Sequence, residues 1–570
     1  MEFRQMGILI LLLFAGCVEP GRIGPYYLSP EGNDRSSGSR EFPWRTIARA
    51  NRTLTAGDTV YFLSGQYEGT IEPENAGTQH RPIVFAAMAH HHPTVVAPIG
   101  IQLTEPDSNI EIRGIEFHTT TQSARLDKCN HILIASCRFF GHFGRSYENF
   151  LIVDSRYVTI RACYLDRQDQ PVRREPGQIG ESPEYRGDGF VLKGSCSFCL
   201  FEEDTVTGAQ HVAFAAAYGG ARQHHNIWLR CTAYTNHTNF QLGNGTEYFL
   251  ADGNTSYHHG LVWPEGSGHG IQGGASKVGI FRYNTFWNDT ATSGTTRLLI
   301  DQHALFTHDG TDGPVVGNRF YNNTFCGDDN FIGLKTNLFR MANDSRLGFP
   351  GFSKQQFKNN IFTGGQGMQM VETCGEVIPF DSVTAYFDGN LFHRNHNGER
   401  IYARDAGGIR VTFTLVEAMR FMQRYFGGGN IDADPRFVNR SLRGAAKNLR
   451  LRADSPCVDK GVPLTRAVNA ARHGVRLAVD DAGYFFDGWG MLPPDSVRLG
   501  RESPVGIVSV DYDHNTIRLS DIRSWRIGDG VEYYRSDRSA GRAPDIGAHE
   551  FFGTEDHPVQ GSMPHLRWAR

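Results

Sequence analysis

The chain has 570 residues, 39% hydrophobic and 12% aromatic, enough for an extended core, while 65 Gly and 25 Pro predict many turns and little helix. Lys and Arg number 57 against 61 Asp and Glu. That balance lacks the basic footprint that counterion release from a nucleic acid needs, so no nucleic-acid partner is expected.

At the N-terminus a short apolar stretch from Gly7 to Ala15 is followed by Gly16-Cys17 and a polar segment. The stretch is too short to span a bilayer as a helix and suits a signal-peptide core. Phe14-Ala15-Gly16-Cys17 resembles a bacterial lipobox, which implies export, lipidation of Cys17 and anchorage in the cell envelope, with no other membrane contact. Residues 1–17 are accordingly set apart as signal peptide and lipobox. Residues 22–108 are expected to form a cap and the first coils, with a helix over 44–54 covering the open end.

From residue 110 to about 393 a short motif recurs. Its pivot residues are Gly114, Cys137, Cys163, Asp204, Cys231, Asn254, Asn284, Asn323, Asn360 and Asn390, spaced 23 to 41 residues apart. One β-helix coil plus a variable loop spans that distance. The column is expected at a tight bend, where Asn tolerates a left-handed backbone and its amide bonds the coils on either side. Cys137, Cys163 and Cys231 read as small buried fillers. Cys196-Ser197-Phe198-Cys199 is a CxxC without a second pair or a His at finger spacing, which argues against zinc.

A second set of strands alternates with the motif. Period two places Phe190, Leu192, Val212, Phe214, Phe240, Leu242 and Ile271 inward. The outward positions are then Gly189, Val191 and Lys193; His211, Ala213 and Ala215; Asn239, Gln241 and Gly243; Gly270, Gln272 and Gly274. The main solenoid is assigned to 109–411. A second helix is expected over 412–426, with Leu415, Met419 and Met422 on one face, inside a segment 412–483 of capping helix and final coils. Residues 484–570 read as a small β insertion, with alternating strands over 497–534, and a tail. The whole is an all-β, right-handed parallel β-helix with capping helices, expected to be a monomer.

Tyr26-Tyr27-Leu28-Ser29-Pro30, Pro43-Trp44-Arg45-Thr46-Ile47, Ala433-Asp434-Pro435-Arg436-Phe437, Asp454-Ser455-Pro456-Cys457-Val458-Asp459 and Pro544-Asp545-Ile546-Gly547-Ala548-His549-Glu550 together resemble bacterial parallel β-helix proteins of the pectate-lyase-like superfamily. The resemblance implies a polysaccharide partner, an acidic glycan in many relatives, bound along an outward sheet face. Asp188-Gly189-Phe190 is similar to the element whose Asp binds calcium in calcium-dependent pectate lyases, so Asp188 is the candidate metal ligand and Ca²⁺ the candidate cofactor. His211-Val212-Ala213-Phe214 stands where those lyases carry paired Asp, and one carboxylate is too few for a hard cation.

An elimination on a uronate needs a cation beside the carboxylate and a base for the α-proton. Lys193, His211, His258 and His269 are the candidate catalytic residues, and Asn239, Gln241, Gln272 and Arg222 the candidate sugar-binding residues. Arg222, His224, His225, His258, His259 and His269 fall on or near loops bordering the outward strands. A hydrolase would need two carboxylates across the bond, and no spacing selects a pair among Asp188, Glu265 and Asp301. A binding-only solenoid, an inverting hydrolase and an epimerase stand as alternatives to the expected polysaccharide lyase.

Overall fold

The computed structural model describes residues 25–141, 148–167, 187–209, 211–216, 222–243, 245–259, 269–274, 276–287, 296–304, 315–327, 335–344, 352–364, 367–374, 385–393, 400–404, 410–421, 423, 426–442, 444–500, 502–536 and 541–552. Cys17, Glu265 and Met422, and the side chains of His269, Ile271, Gln272 and Asp301, lie outside this description.

Three faces repeat along the chain. The first is a stack of 13 strands in unbroken chain order, from Tyr26–Leu28 to Ala385–Asp388, each parallel to the next. From Asn130–Ala135 onward each is followed by a short second-face strand, such as Arg138–Gly141 or Tyr164–Asp166, and then a third-face strand, such as Glu148–Val153 or Asp188–Lys193. Because every strand pairs with its equivalent one coil away, like side chains fall on like. On the first face Phe281, Phe320, Phe357 and Phe387 stack inside the solenoid with centroids 4.3, 4.8 and 4.5 Å apart. Phe190, Phe214 and Phe240 do the same inside the third face. Each buried ring contributes about 1.5–3 kcal/mol relative to exposure.

The corner between first and second faces carries the asparagine ladder. Asn254, Asn284, Asn323, Asn360 and Asn390 are fully or almost fully buried, and each Nδ2 donates to Oδ1 of the next at 2.9–3.1 Å, ending on Asn430. The same oxygens accept the backbone N–H of the preceding rung, and a second Nδ2 proton meets a carbonyl inside the coil, as from Asn323 to Phe281 at 2.9 Å. The left-handed backbone lies one residue earlier than expected. Gly114, Ser136, Ala162, Glu203 and Arg230 have φ between 52° and 71°, so Gly114 belongs to that position and Ile115 begins the ladder column. The pivot side chain can then point inward while its predecessor turns the chain. Cys137, Cys163 and Cys231 are buried free thiols, as the sequence suggested.

The expected cap helix over 44–54 is observed as Ile47–Thr53, with Thr46 accepting from the Arg49 N–H and Ile47 and Ala50 buried. At the other end the described helix is Leu415–Phe421. Residues expected to start it form the strand Arg410–Thr414, antiparallel to Arg400–Arg404. The helix cannot begin sooner because Thr414 and Glu417 form a capping box: Thr414 N and Oγ1 donate to Glu417 Oε2 at 2.8 and 3.0 Å, and Glu417 N returns to Thr414 Oγ1.

Beyond the solenoid an antiparallel six-stranded sheet, in the order Thr465–Arg466, Gly530–Tyr534, Ser496–Leu499, Val505–Asp511, Thr516–Trp525 and Ala471–Ala478, covers part of the outer side of the first face. It begins before the expected boundary at 484, since its two outer strands start at Thr465 and Ala471. Leu200, Ile227, Leu250 and Ile280 of the solenoid share a core with Val497, Leu499, Ile517 and Val531 of the sheet. At the centre of that contact Arg282 is buried, donating to Asp252 at 2.8 Å, to both Asp495 oxygens at 2.7 and 2.9 Å and to Tyr321 Oη at 3.0 Å. The closing segments return over the second face, where Asn322 Nδ2 donates to the Asp545 carbonyl at 2.7 Å and Asp459 N to Asp545 Oδ1 at 2.8 Å. The Asp-containing motifs near the C-terminus are therefore clasps on the solenoid.

Candidate functional site

Strict alternation fails where the second face bends into the third, because two successive residues point inward there. Asn149 and Phe150, Ala213 and Phe214, and Asn239 and Phe240 are all buried in this way. A Cβ on Gly189 would lie 2.8 Å from Val206 Cγ1 and 2.3 Å from the Ala213 carbonyl oxygen, so its direction is also inward. Gly189, Ala213 and Asn239 are thus interior positions. Asn239 is fully buried, donating to Ser256 Oγ at 2.8 Å and the Tyr257 carbonyl at 3.1 Å and accepting from Asn236 at 2.9 Å, which corrects its assignment as a sugar ligand. Val212, expected inside, instead joins Leu151, Val191 and Ala215 in a separate apolar cluster on the outer side.

The outward columns follow from the register. One runs Glu148, Asp188, Val212, Thr238 and His269; another runs Leu151, Val191, Ala215, Gln241 and Gln272. His211, just before its strand, reaches back one coil so that Nδ1 lies 2.8 Å from Asp188 Oδ1. The same oxygen accepts the Val212 N–H at 3.0 Å, and His211 is itself held by its N–H to the Gly187 carbonyl and its carbonyl to the Thr238 N–H. A carboxylate only accepts, so this arrangement puts the proton on Nδ1 and leaves Nε2 of the neutral ring as a base. The His211 side chain is 24% exposed and that of Asp188 6%, so the orienting group is sheltered and the ring reaches solvent. Arg167, almost fully buried, donates Nη1 to the Asp188 carbonyl at 3.2 Å and lies against Gly187, where a Cβ would be 2.0 Å from its Cζ.

Lys193 extends from the same strand as Asp188 and stands 3.5 Å from Glu148 Oε1. Glu148 was missed. The signal was present, because Asn149-Phe150-Leu151-Ile152 repeats Gly189-Phe190-Val191-Leu192 and sets Glu148 over Asp188. Gln241 lies on the outward side and is largely buried.

The other histidines go elsewhere. His258 takes the left-handed position (φ 51°) at the corner between second and third faces, as Gly208 and Thr235 do in the preceding coils, and packs against Gly444. His224 and His225 sit at the corner between third and first faces with Nδ1 atoms 2.8 Å apart, and His225 meets Trp489, in the turn before the sheet strand Ser496–Leu499, edge-on at 4.8 Å. Burial there lowers His225 to about 4, with the neighbouring His224 adding to it. Arg222 is largely exposed and 3.9 Å from Glu247. His269 and Gln272 continue the outward columns by backbone register.

The calcium expectation meets a poor donor set. Among the described residues no group of three or more His, Cys, Asp or Glu side chains could hold a metal ion, and Asp188 Oδ1 is committed to His211 and the Val212 N–H. A hard cation takes six to eight oxygens. These residues do not supply them.

No family model matches the chain. Over 59 residues, 10% of its length, it is 41% identical to the uncharacterized protein YwoF of Bacillus subtilis (strain 168), and the match spans 13% of that relative. Among solved structures a rhamnogalacturonan lyase is similar with TM-score 0.41 and 17% identity, covering 64% of this chain and 87% of its own. Pectate lyase Pel9A gives TM-score 0.41 and 15% identity over 79% and 93%, and XylC in complex with xylose gives 0.31 and 12% over 90% and 99%. From its own coil-by-coil parallel register, closed at one corner by an asparagine ladder, the chain is a right-handed parallel β-helix.

Proposed function

We propose that the protein is a polysaccharide lyase that cleaves a uronate-containing glycan by β-elimination on its third face. The observation that carries this reading is the 2.8 Å contact from His211 Nδ1 to Asp188 Oδ1, which leaves Nε2 of an oriented, partly exposed ring as the base. His211 Nε2 takes the proton on the carbon next to the carboxylate, a carbon–carbon double bond forms, and the bond to the glycosidic oxygen breaks. The departing oxygen takes a proton from water. Asp188 fixes the ring and stabilises the imidazolium. Lys193, 42% exposed at its side chain, supplies positive charge for the uronate carboxylate, and Gln241 supplies an amide for a sugar hydroxyl. The lipobox-like Cys17 supports placing this activity, lipid-anchored, in the cell envelope.

The test is incubation of purified protein with a panel of acidic polysaccharides, with and without calcium, following the ultraviolet absorbance of an unsaturated uronate. A rise on at least one glycan is expected. Flat traces across the panel, with reducing ends released from neutral glycans instead, would reject the lyase reading.

A further inference from the structure

The C-terminal sheet does not seal the whole of the first face. Between the strands Arg319–Tyr321, Gln355–Lys358 and Ala385–Asp388 on one side, and 462–466, 480–484 and 512–515 on the other, lies a cleft of about 770 Å³. Its floor is fixed by contacts between the two halves. Arg319 pairs with both oxygens of Asp481 at 3.2 and 2.7 Å, and Lys358 Nζ donates to the Leu464 carbonyl at 2.8 Å, 5.4 Å from the Tyr484 ring centroid.

Other polar groups on the walls are unused. The Tyr386 hydroxyl and the carboxylates of Asp480 and Asp513 meet no hydrogen-bond partner among the described residues. Gln356 accepts from Tyr484 Oη at 3.3 Å and keeps both amide protons. The lining carries four Lys or Arg and four Asp, so its charge cancels. A polyanion would gain nothing from such a balance and would meet Asp480 and Asp513; an apolar ligand would strand the unmatched groups. A neutral ligand with many hydroxyls can donate to the carboxylates, accept from Gln356 and set its C–H faces against the tyrosine rings.

We propose that this cleft is a second glycan-binding site, sharing no residue with the third face, that takes an uncharged oligosaccharide segment; its ligand class rests on the reading of the protein as carbohydrate-active. The site would hold a neutral stretch or branch of a polymer while the uronate lies elsewhere.

Calorimetric titration of the full chain with neutral hexasaccharides of the xylan, mannan, galactan and cellulose types, and with oligogalacturonate, tests it. At least one neutral oligomer should bind, with affinity weakened about tenfold or more by Asp480→Ala combined with Asp513→Ala. Tyr386→Phe, which removes only a hydroxyl, should weaken it too, and His211→Ala should leave it unchanged. Circular dichroism confirms that the variants are folded. The proposal is overturned if no neutral oligomer binds, if binding survives both cleft variants, or if only oligogalacturonate is taken up there. Failure of elimination with neutral binding intact would count against the third-face reading alone, and the reverse pattern against the cleft alone.

Discussion

Asp188 and His211, 23 residues apart in sequence, meet at 2.8 Å because one coil of the solenoid brings the carboxylate under the ring. Replacing Asp188 by Asn keeps a carbonyl oxygen beside Nδ1–H but removes the charge that stabilises the imidazolium, and leaves the backbone untouched. Elimination by Asp188→Asn should fall by about 100-fold or more in kcat with little change in KM, measured against a thermal melt that stays near that of the parent.

The ladder column contains one misfit. Asp204 is fully buried, accepts the Cys163 N–H at 2.8 Å with Oδ1, and its Oδ2 meets no partner among the described residues. Desolvation pushes its carboxyl well above the usual range. The folded state therefore holds a proton that the unfolded chain releases above about pH 4. That stability is complete below the unfolded pKa and declines as pH rises from there toward the folded value. Asp204→Asn restores the amide that neighbouring coils use, and should stabilise the protein by roughly 1–3 kcal/mol at pH 8 and by less at pH 4. Denaturant unfolding at the two pH values checks the sign.

Asn323 makes ladder bonds to both neighbours, and no water can replace them at zero exposure. Asn323→Ala should cost about 2–4 kcal/mol, read from the midpoint of denaturant unfolding.

The buried Arg282 faces Asp252 and Asp495 across the joint with the C-terminal sheet. Arg282→Met strands two carboxylates and should cost about 3–5 kcal/mol, with faster proteolysis after residue 460. Adding Asp252→Asn and Asp495→Asn should recover most of the loss.

The columns inside the solenoid were legible because parallel stacking repeats one residue type at one position, and a run of Asn or Phe at coil spacing fits few folds besides a stack of coils. The third-face orientation was less so. Period two reads a flat strand, and the bend before Phe214 and Phe240 turns two residues inward in succession, which sent Asn239 into the core and Val212 out of it. The Asp188–His211 contact was half visible: both residues were named, but their pairing depends on a reach between coils that no local pattern records. The Arg282 network joins positions 213 residues apart and had no sequence signal.

The most direct test is the elimination rate of His211→Ala on the oligouronide that the parent cleaves best, with and without added imidazole. The account predicts a loss of about 1,000-fold, partly recovered by imidazole as a diffusible base. A His211→Ala rate equal to that of the parent would contradict it.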